Sequence, residues 1–352
     1  MRPNDISLIL DQEFKSLDQF HHTPVMLWGP PGVGKSQIIA EIAYRHSVPL
    51  IDIRLSQIEP SDLRGIPFRT DKNVVWATPD MLPNSERHGL KGILFLDEIN
   101  AAPPSISAAA YQLILDRRIG NYKMPAGWAI FAAGNRQGDR GVTYSMPSPL
   151  ANRFSHYELD VHLDDWVSWA YKHKLDERII AFLRFRPELL FDFDPSENPI
   201  AFPSPRTWEY AHRALQKFKD QPQLLLGGLQ ACVGEVAGLE AFAYIDNFTN
   251  IPDIDAIVRG EDVLVPTKID LQYAVSAALV SRAMSVNADK EDNVAISAVL
   301  GNILNYAQKF PQKEMGVMLV ADLQRVIGQA IFQIPEFSQW ANLVADIMFY
   351  HD

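Results

Sequence analysis

Along the first 160 residues, apolar positions fall into two alternating patterns. Short continuous runs bounded by proline, glycine or acidic residues predict buried strands at Val25–Trp28, Pro49–Leu55, Gly92–Asp97, Trp128–Ala133 and Phe154–Asp160. Between them the spacing turns helical. Ile6, Ile9, Leu10, Phe14 and Leu17 predict an opening amphipathic helix over Ile6–Phe20. A second helix is expected from Lys35 to about His46. A third starts at Pro103-Pro104, where proline suits a first turn, and runs to about Asp116. The stretch Glu59–Asn73, rich in proline, aspartate and glycine, reads as a loop. Strands alternating with helices imply right-handed crossovers and a mostly parallel sheet covered on both faces.

After Asp160 the strand signals thin out. Helical spacing recurs at Trp166–Lys172, Glu177–Phe185, Thr207–Phe218, Leu224–Asn247 and Ile269–Ser285. Pro195–Pro205 reads as a proline-rich loop between helices. The expected organisation is an α/β nucleotide-binding domain over residues 1–160, an all-α domain over 161–292, and a helical C-terminal extension over 293–352. No internal repeat or low-complexity tract is visible.

Composition narrows the partners. A chain of 352 residues with 47% hydrophobic positions has room for two domains with real cores. Its net charge of −11 argues against general affinity for nucleic acid or anionic membrane. The single cysteine, Cys232, excludes an intramolecular disulfide and a zinc site built on several thiolates. Met1–Asp11 is polar, without the apolar core of a signal peptide. Apolar stretches such as Gly92–Leu96 are strand-sized, far below the ~20 residues of a membrane helix. The expectation is a cytoplasmic protein with no membrane segment.

The chemistry begins at Gly29-Pro30-Pro31-Gly32-Val33-Gly34-Lys35-Ser36, a full G-x-x-x-x-G-K-[ST] loop between a strand and a helix. Glycines there let backbone N–H groups turn inward around phosphates, and the helix N-terminus adds partial positive charge. Lys35 is expected to reach the β- and γ-phosphates of ATP, and the Ser36 hydroxyl to bind Mg²⁺. Ile93–Glu98 is an apolar run delivering two carboxylates at a strand's C-terminal end, the edge where open α/β sheets bind ligands. Asp97 would hold Mg²⁺ through its water shell, and Glu98 would act as general base on the attacking water. Phe131–Asn135 ends the next strand with an asparagine placed to bond that water or the γ-phosphate.

The order of P-loop, DE-ended strand, Asn-ended strand and arginine resembles that of AAA+ ATPases. Leu96-Asp-Glu-Ile-Asn-Ala-Ala-Pro-Pro104 is similar to the MoxR-type branch, and the resemblance covers about Pro24 to Ala214. It implies a five-stranded αβα domain followed by a helical lid, and a homo-oligomeric ring, usually a hexamer, with ATP between subunits. By the same resemblance, Arg153 in Leu150–Phe154 would be the arginine finger that enters a neighbouring subunit's site. Arg206 in Pro203–Thr207 would be the lid arginine touching the γ-phosphate in its own subunit. Arg117, Arg118, Arg136 and Arg140 compete for the finger role. The branch often carries arginine after its DEIN segment, where this chain has Ala101. The region Leu55–Phe68 also resembles a loop of such proteins that contacts a partner or the next subunit.

These motifs favour a remodelling ATPase acting on a client or on a partner with a von Willebrand factor A-type domain, as the resemblance implies. The alternative is a motor or loader on nucleic acid, for which Arg117, Arg118 and Lys123 form the one tight basic cluster. A scaffold that binds ATP without turnover would not need Lys35, Asp97, Glu98 and Asn135 together. A small-molecule kinase shares the loop but needs no arginine from a neighbour. Tyr122 could grip a substrate, although packing is the simpler expectation for it and for Trp28. His21-His22 lacks a third ligand at metal-binding spacing.

Overall fold

A computed structural model describes residues 1–19, 22–71, 73–136, 138–139, 144–197, 199–288 and 293–348. His21 and Arg140 lie outside the described residues. The chain divides into two compact units: Met1–His162 with Pro195–Glu197, and Leu163–Asp194 with Asn198–Asp352.

Among the described residues the first unit carries nine strands: β1 (Val25–Trp28), β2 (Leu50–Arg54), β3 (Ile66–Arg69), β4 (Val74–Ala77), β5 (Lys91–Asp97), β6 (Arg118–Ile119), β7 (Tyr122–Lys123), β8 (Gly127–Gly134) and β9 (Ser155–Glu158). Five of them build one sheet in the order β2-β5-β8-β1-β9, with every pairing parallel. The register sets Phe95 of β5 opposite Phe131 of β8, and Phe131 opposite Val25 of β1. Residues Ile93–Leu96 and Trp128–Ala133 are fully buried, as strands covered on both faces require. Gly92 is small because the Trp128 indole lies over it. A Cβ there would come within 2.6 Å of that ring. β1 sits between β8 and β9 while its chain continues to β2 at the far edge, so the strand order reverses beside β1. Open α/β sheets bind ligands at such a reversal, at the carboxyl ends of the strands.

The expected loop Glu59–Asn73 is in fact structured. It holds a short helix, Pro60–Arg64, and β3, which pairs with β4 just beyond the segment in an antiparallel hairpin with Ile66 opposite Ala77. Gly65 joins the two at φ +82°, where a Cβ would collide with the Ala77 carbonyl oxygen at 1.8 Å. Ile66, Phe68, Val74 and Trp76 remain exposed on this hairpin.

The second unit is helical throughout its described secondary structure. The single helix expected at Leu224–Asn247 is two, Pro222–Val233 and Glu235–Asn247, separated by Gly234 at φ +90°. Three further helices, Asn293–Ala307, Lys313–Ile327 and Pro335–Met348, occupy the region read as an extension. Trp208, fully buried, donates its indole N–H to the Leu189 carbonyl at 2.7 Å. Arg184, with its side chain only 8% exposed, is clasped by Asp322 and Asp164, and Arg325 bonds both carboxylates as well. Burial pushes the Asp322 carboxyl up, against the pull of the two guanidinium groups. Lys313–Gln333 is long and apolar enough to cross a membrane by length and composition alone. It nevertheless carries Asp322 on a buried face with Met315, Leu319 and Leu323, the arrangement of a core helix. Cys232 is half-buried, and burial raises its thiol pKa.

Candidate nucleotide site

The P-loop leaves β1 at Trp28 and enters the helix Lys35–Arg45. Gly32 and Gly34 take φ values of +83° and +97°, a backbone that L side chains resist. This curls the loop ahead of the helix, whose first N–H groups have no carbonyl of their own turn to meet. The loop is also tied to the sheet: the Gly29 N–H donates to the Gly134 carbonyl at 3.3 Å. The Lys35 ammonium donates to the carbonyls of Gly29 at 2.5 Å and Pro30 at 2.9 Å, and to the Asn135 Oδ1 at 3.1 Å. The lysine and the asparagine picked out 100 positions apart in sequence therefore meet.

The carboxylates arrive on β5. The Ser36 hydroxyl donates to Asp97 Oδ2 at 3.0 Å. The Glu98 N–H donates to the other Asp97 oxygen at 2.9 Å. Glu98 itself holds φ +54°, a left-handed backbone that costs a non-glycine residue about 1–2 kcal/mol. Its side chain accepts a hydrogen bond from the Ser56 hydroxyl, in the turn after β2. Asp52, one strand over, has its pKa raised by burial and by the nearby charges of Asp97 and Glu98, against the opposing pull of Arg54. Ser56 and Asp52 escape motif reading because neither belongs to a contiguous pattern; the acidic edge gathers them only through the pairing of β2 with β5.

The set fits a nucleotide with Mg²⁺. Ser36 and Asp97 present hard oxygen atoms side by side, the donor chemistry of Mg²⁺, which keeps several waters and substrate phosphate oxygens in its shell. Among the described residues no cluster of three or more histidine, cysteine, aspartate or glutamate side chains could hold a metal alone. His22 serves the sheet instead, its Nε2 accepting from the Ile130 N–H at 2.8 Å.

The arginines separate. Arg117 is committed to packing: it donates to the carbonyls of Pro125 at 2.9 Å and Trp128 at 2.6 Å, and burial lowers its pKa. Arg136 pairs with Asp139 at 3.3 Å, and Arg118 lies 3.9 Å from Asp116. Arg153, just past the helical turn Ser148–Ala151, is exposed and makes no side-chain bond among the described residues. Arg206 lies in the first turn of Pro205–Phe218 in the second unit, and it too is exposed. That turn is fixed by a capping box, with Ser204 accepting from the Thr207 N–H at 3.2 Å and Thr207 accepting from the Ser204 N–H at 2.8 Å. Tyr122 is buried, with its hydroxyl on the Pro83 carbonyl. Trp28 is partly exposed, donating its indole N–H to His156 Nδ1 at 2.9 Å.

The parallel sheet, the P-loop at its reversal point and the paired carboxylates give the first unit the α/β P-loop fold, with a site arranged for a nucleotide. Residues 24–154 match the AAA domain of the dynein-related subfamily. The chain is 28% identical over 154 residues to midasin of Giardia intestinalis, covering 42% of this chain and 3% of that protein. It is 33% identical over 144 residues to Protein NorQ of Paracoccus denitrificans, covering 39% of this chain and 52% of NorQ. The chain thus spans about half of NorQ and a small part of midasin. Among solved structures, the Thermotoga maritima RuvB Holliday junction branch migration motor is 15% identical, covers 94% of this chain and 86% of its own, and superposes with a TM-score of 0.35.

Proposed function

We propose that the chain is a MoxR-type AAA+ ATPase that works as a ring and remodels a client or partner protein. The observation that carries the reading is the convergence of Lys35, Ser36, Asp97, Glu98 and Asn135 at one sheet edge. The match to NorQ and the Leu96–Pro104 segment support the branch. Mg²⁺, held through Ser36 and the water shell of Asp97, would neutralise phosphate charge. The loop N–H groups and Lys35 bind the β- and γ-phosphates. Glu98 takes the proton of the attacking water, and Asn135 fixes that water against the γ-phosphorus. Because Lys35 holds Asn135 Oδ1, the Asn135 amide N–H₂ is the end left to face substrate.

Arg153 supports the ring. It is a cation held out from a short turn with no described partner in its own chain, as a residue completing a neighbour's site requires. In this reading the second unit is the lid, Arg206 reads the γ-phosphate, and a von Willebrand factor A-type protein is the partner. The basic cluster needed for a nucleic-acid motor is weakened, since Arg117 is spent on backbone carbonyls.

The test is a mixing experiment. Glu98→Gln and Arg153→Ala are each expected to be nearly inactive alone. Mixed in equal amounts, they should regain phosphate release, because some interfaces join an intact Glu98 to an intact Arg153. Specific activity of the wild type should also rise with protein concentration. No recovery on mixing, with Arg153→Ala as active as wild type at every concentration, would place the whole site within one chain.

A further inference from the structure

Asn100 closes the Leu96–Asn100 segment, and the reaction scheme above gives it nothing to do. The residue is 6% exposed. Its amide Nδ2 donates to the Asn135 carbonyl at 2.7 Å, and its Oδ1 accepts from the Asn135 N–H at 3.3 Å. One side-chain amide thus occupies both backbone groups of Asn135, as a neighbouring strand would. The same turn is stitched to β8 once more, by the Ile99 N–H donating to the Ala133 carbonyl at 3.1 Å. Gly134 makes the approach possible: a Cβ there would come within 2.5 Å of Asn100 Oδ1. The backbone carbonyl of Asn100 accepts from the Tyr144 N–H at 2.6 Å, anchoring the segment that leads to Arg153.

We infer that Asn100 is a positioning residue, which locks Asn135 in register with Glu98 by binding both backbone groups of Asn135. Glu98 and Asn100 lie two residues apart in one turn, itself closed by the Ala101 N–H on the Glu98 carbonyl at 2.9 Å. Clamping Asn135 to Asn100 therefore fixes the separation between the group that deprotonates the water and the group that holds it. Reaction rates respond steeply to such placement, on the order of 100-fold for a 1 Å error. Nucleotide affinity rests on the P-loop and is insensitive to it. The inference rests on the catalytic reading of Asn135 proposed above.

The experiment compares wild type, Asn100→Ala, Asn135→Ala and the double variant, reading kcat from phosphate release and the dissociation constant of a fluorescent ATP analogue. Asn100→Ala is expected to lower kcat roughly 10- to 100-fold with the dissociation constant within about 2-fold. Adding it to Asn135→Ala should cost less than about 2-fold more, because Asn100 acts through Asn135. Multiplicative losses in the double variant would overturn the inference while leaving Asn135 catalytic. An undiminished kcat in Asn135→Ala would overturn the parent reading instead.

Asn100→Asp guards against misfolding, because it keeps the shape. Ionised, the introduced carboxyl repels the Asn135 carbonyl; protonated, it can donate to it. Its kcat relative to wild type should therefore rise as pH falls from 8.5 to 5.5, and burial raises the pH at which this begins. A flat ratio would overturn the inference.

Discussion

Replacing Glu98 with glutamine is expected to lower turnover by about 10²- to 10⁴-fold while ATP still binds. Glutamine keeps the volume and can still accept from Ser56 through its carbonyl, so the acidic turn keeps its geometry. It cannot take a proton from water. In the proposed site, binding rests elsewhere, on the loop N–H groups, Lys35, and the pair of Ser36 and Asp97. Phosphate release and equilibrium binding of a fluorescent ATP analogue separate the two effects. Activity within tenfold of wild type would mean that the water is deprotonated by another group. A loss of binding would mean that Glu98 supports the loop rather than the chemistry.

The second large effect lies in the helical unit. Asp322→Ala leaves the Arg184 guanidinium with its side chain 8% exposed and one carboxylate fewer. Removing one partner of a buried pair costs about 3–5 kcal/mol, because the remaining charge stays desolvated. For a unit of this size that lowers the midpoint of its thermal transition by roughly 6–20 °C. The Asp322→Leu, Arg184→Met double replacement removes both charges at similar volume and should recover most of the loss. Thermal unfolding followed by circular dichroism reads all three proteins. If the single variant loses less than about 1 kcal/mol, water reaches the cluster and it is not a buried ion network.

The two extremes of legibility are the P-loop and the Asn100 clamp. The loop is consecutive residues whose backbone demands, glycines at positive φ and a helix start, are written locally. The acidic strand end is equally local: an apolar run with no spacing but continuity, followed by two carboxylates. The clamp joins residues 35 positions apart, through a side chain that mimics a strand. Nothing local distinguishes Asn100 from a turn asparagine. Ser56 reaches Glu98 only because β2 pairs with β5, and that pairing follows from sheet order rather than from any spacing. Arg117 reads in sequence as a finger candidate and part of a basic cluster because its acceptors are main-chain carbonyls, which composition hides. Two misreadings had a visible cue. Gly234 inside an apparently continuous helix marks a break, and Gly65 before Ile-Pro-Phe marks the corner between a short helix and a strand in a segment whose polarity suggests neither.

The left-handed backbone at Glu98 sets two screens against each other. Glycine relaxes that conformation and asparagine tolerates it, so a library randomised at this one position and sorted by survival of heating would drift towards those two residues. The same library sorted by phosphate release would return glutamate. An engineer who stabilises this protein by heat alone would therefore select a calmer fold that has stopped turning over, and would see nothing amiss until ATP was added.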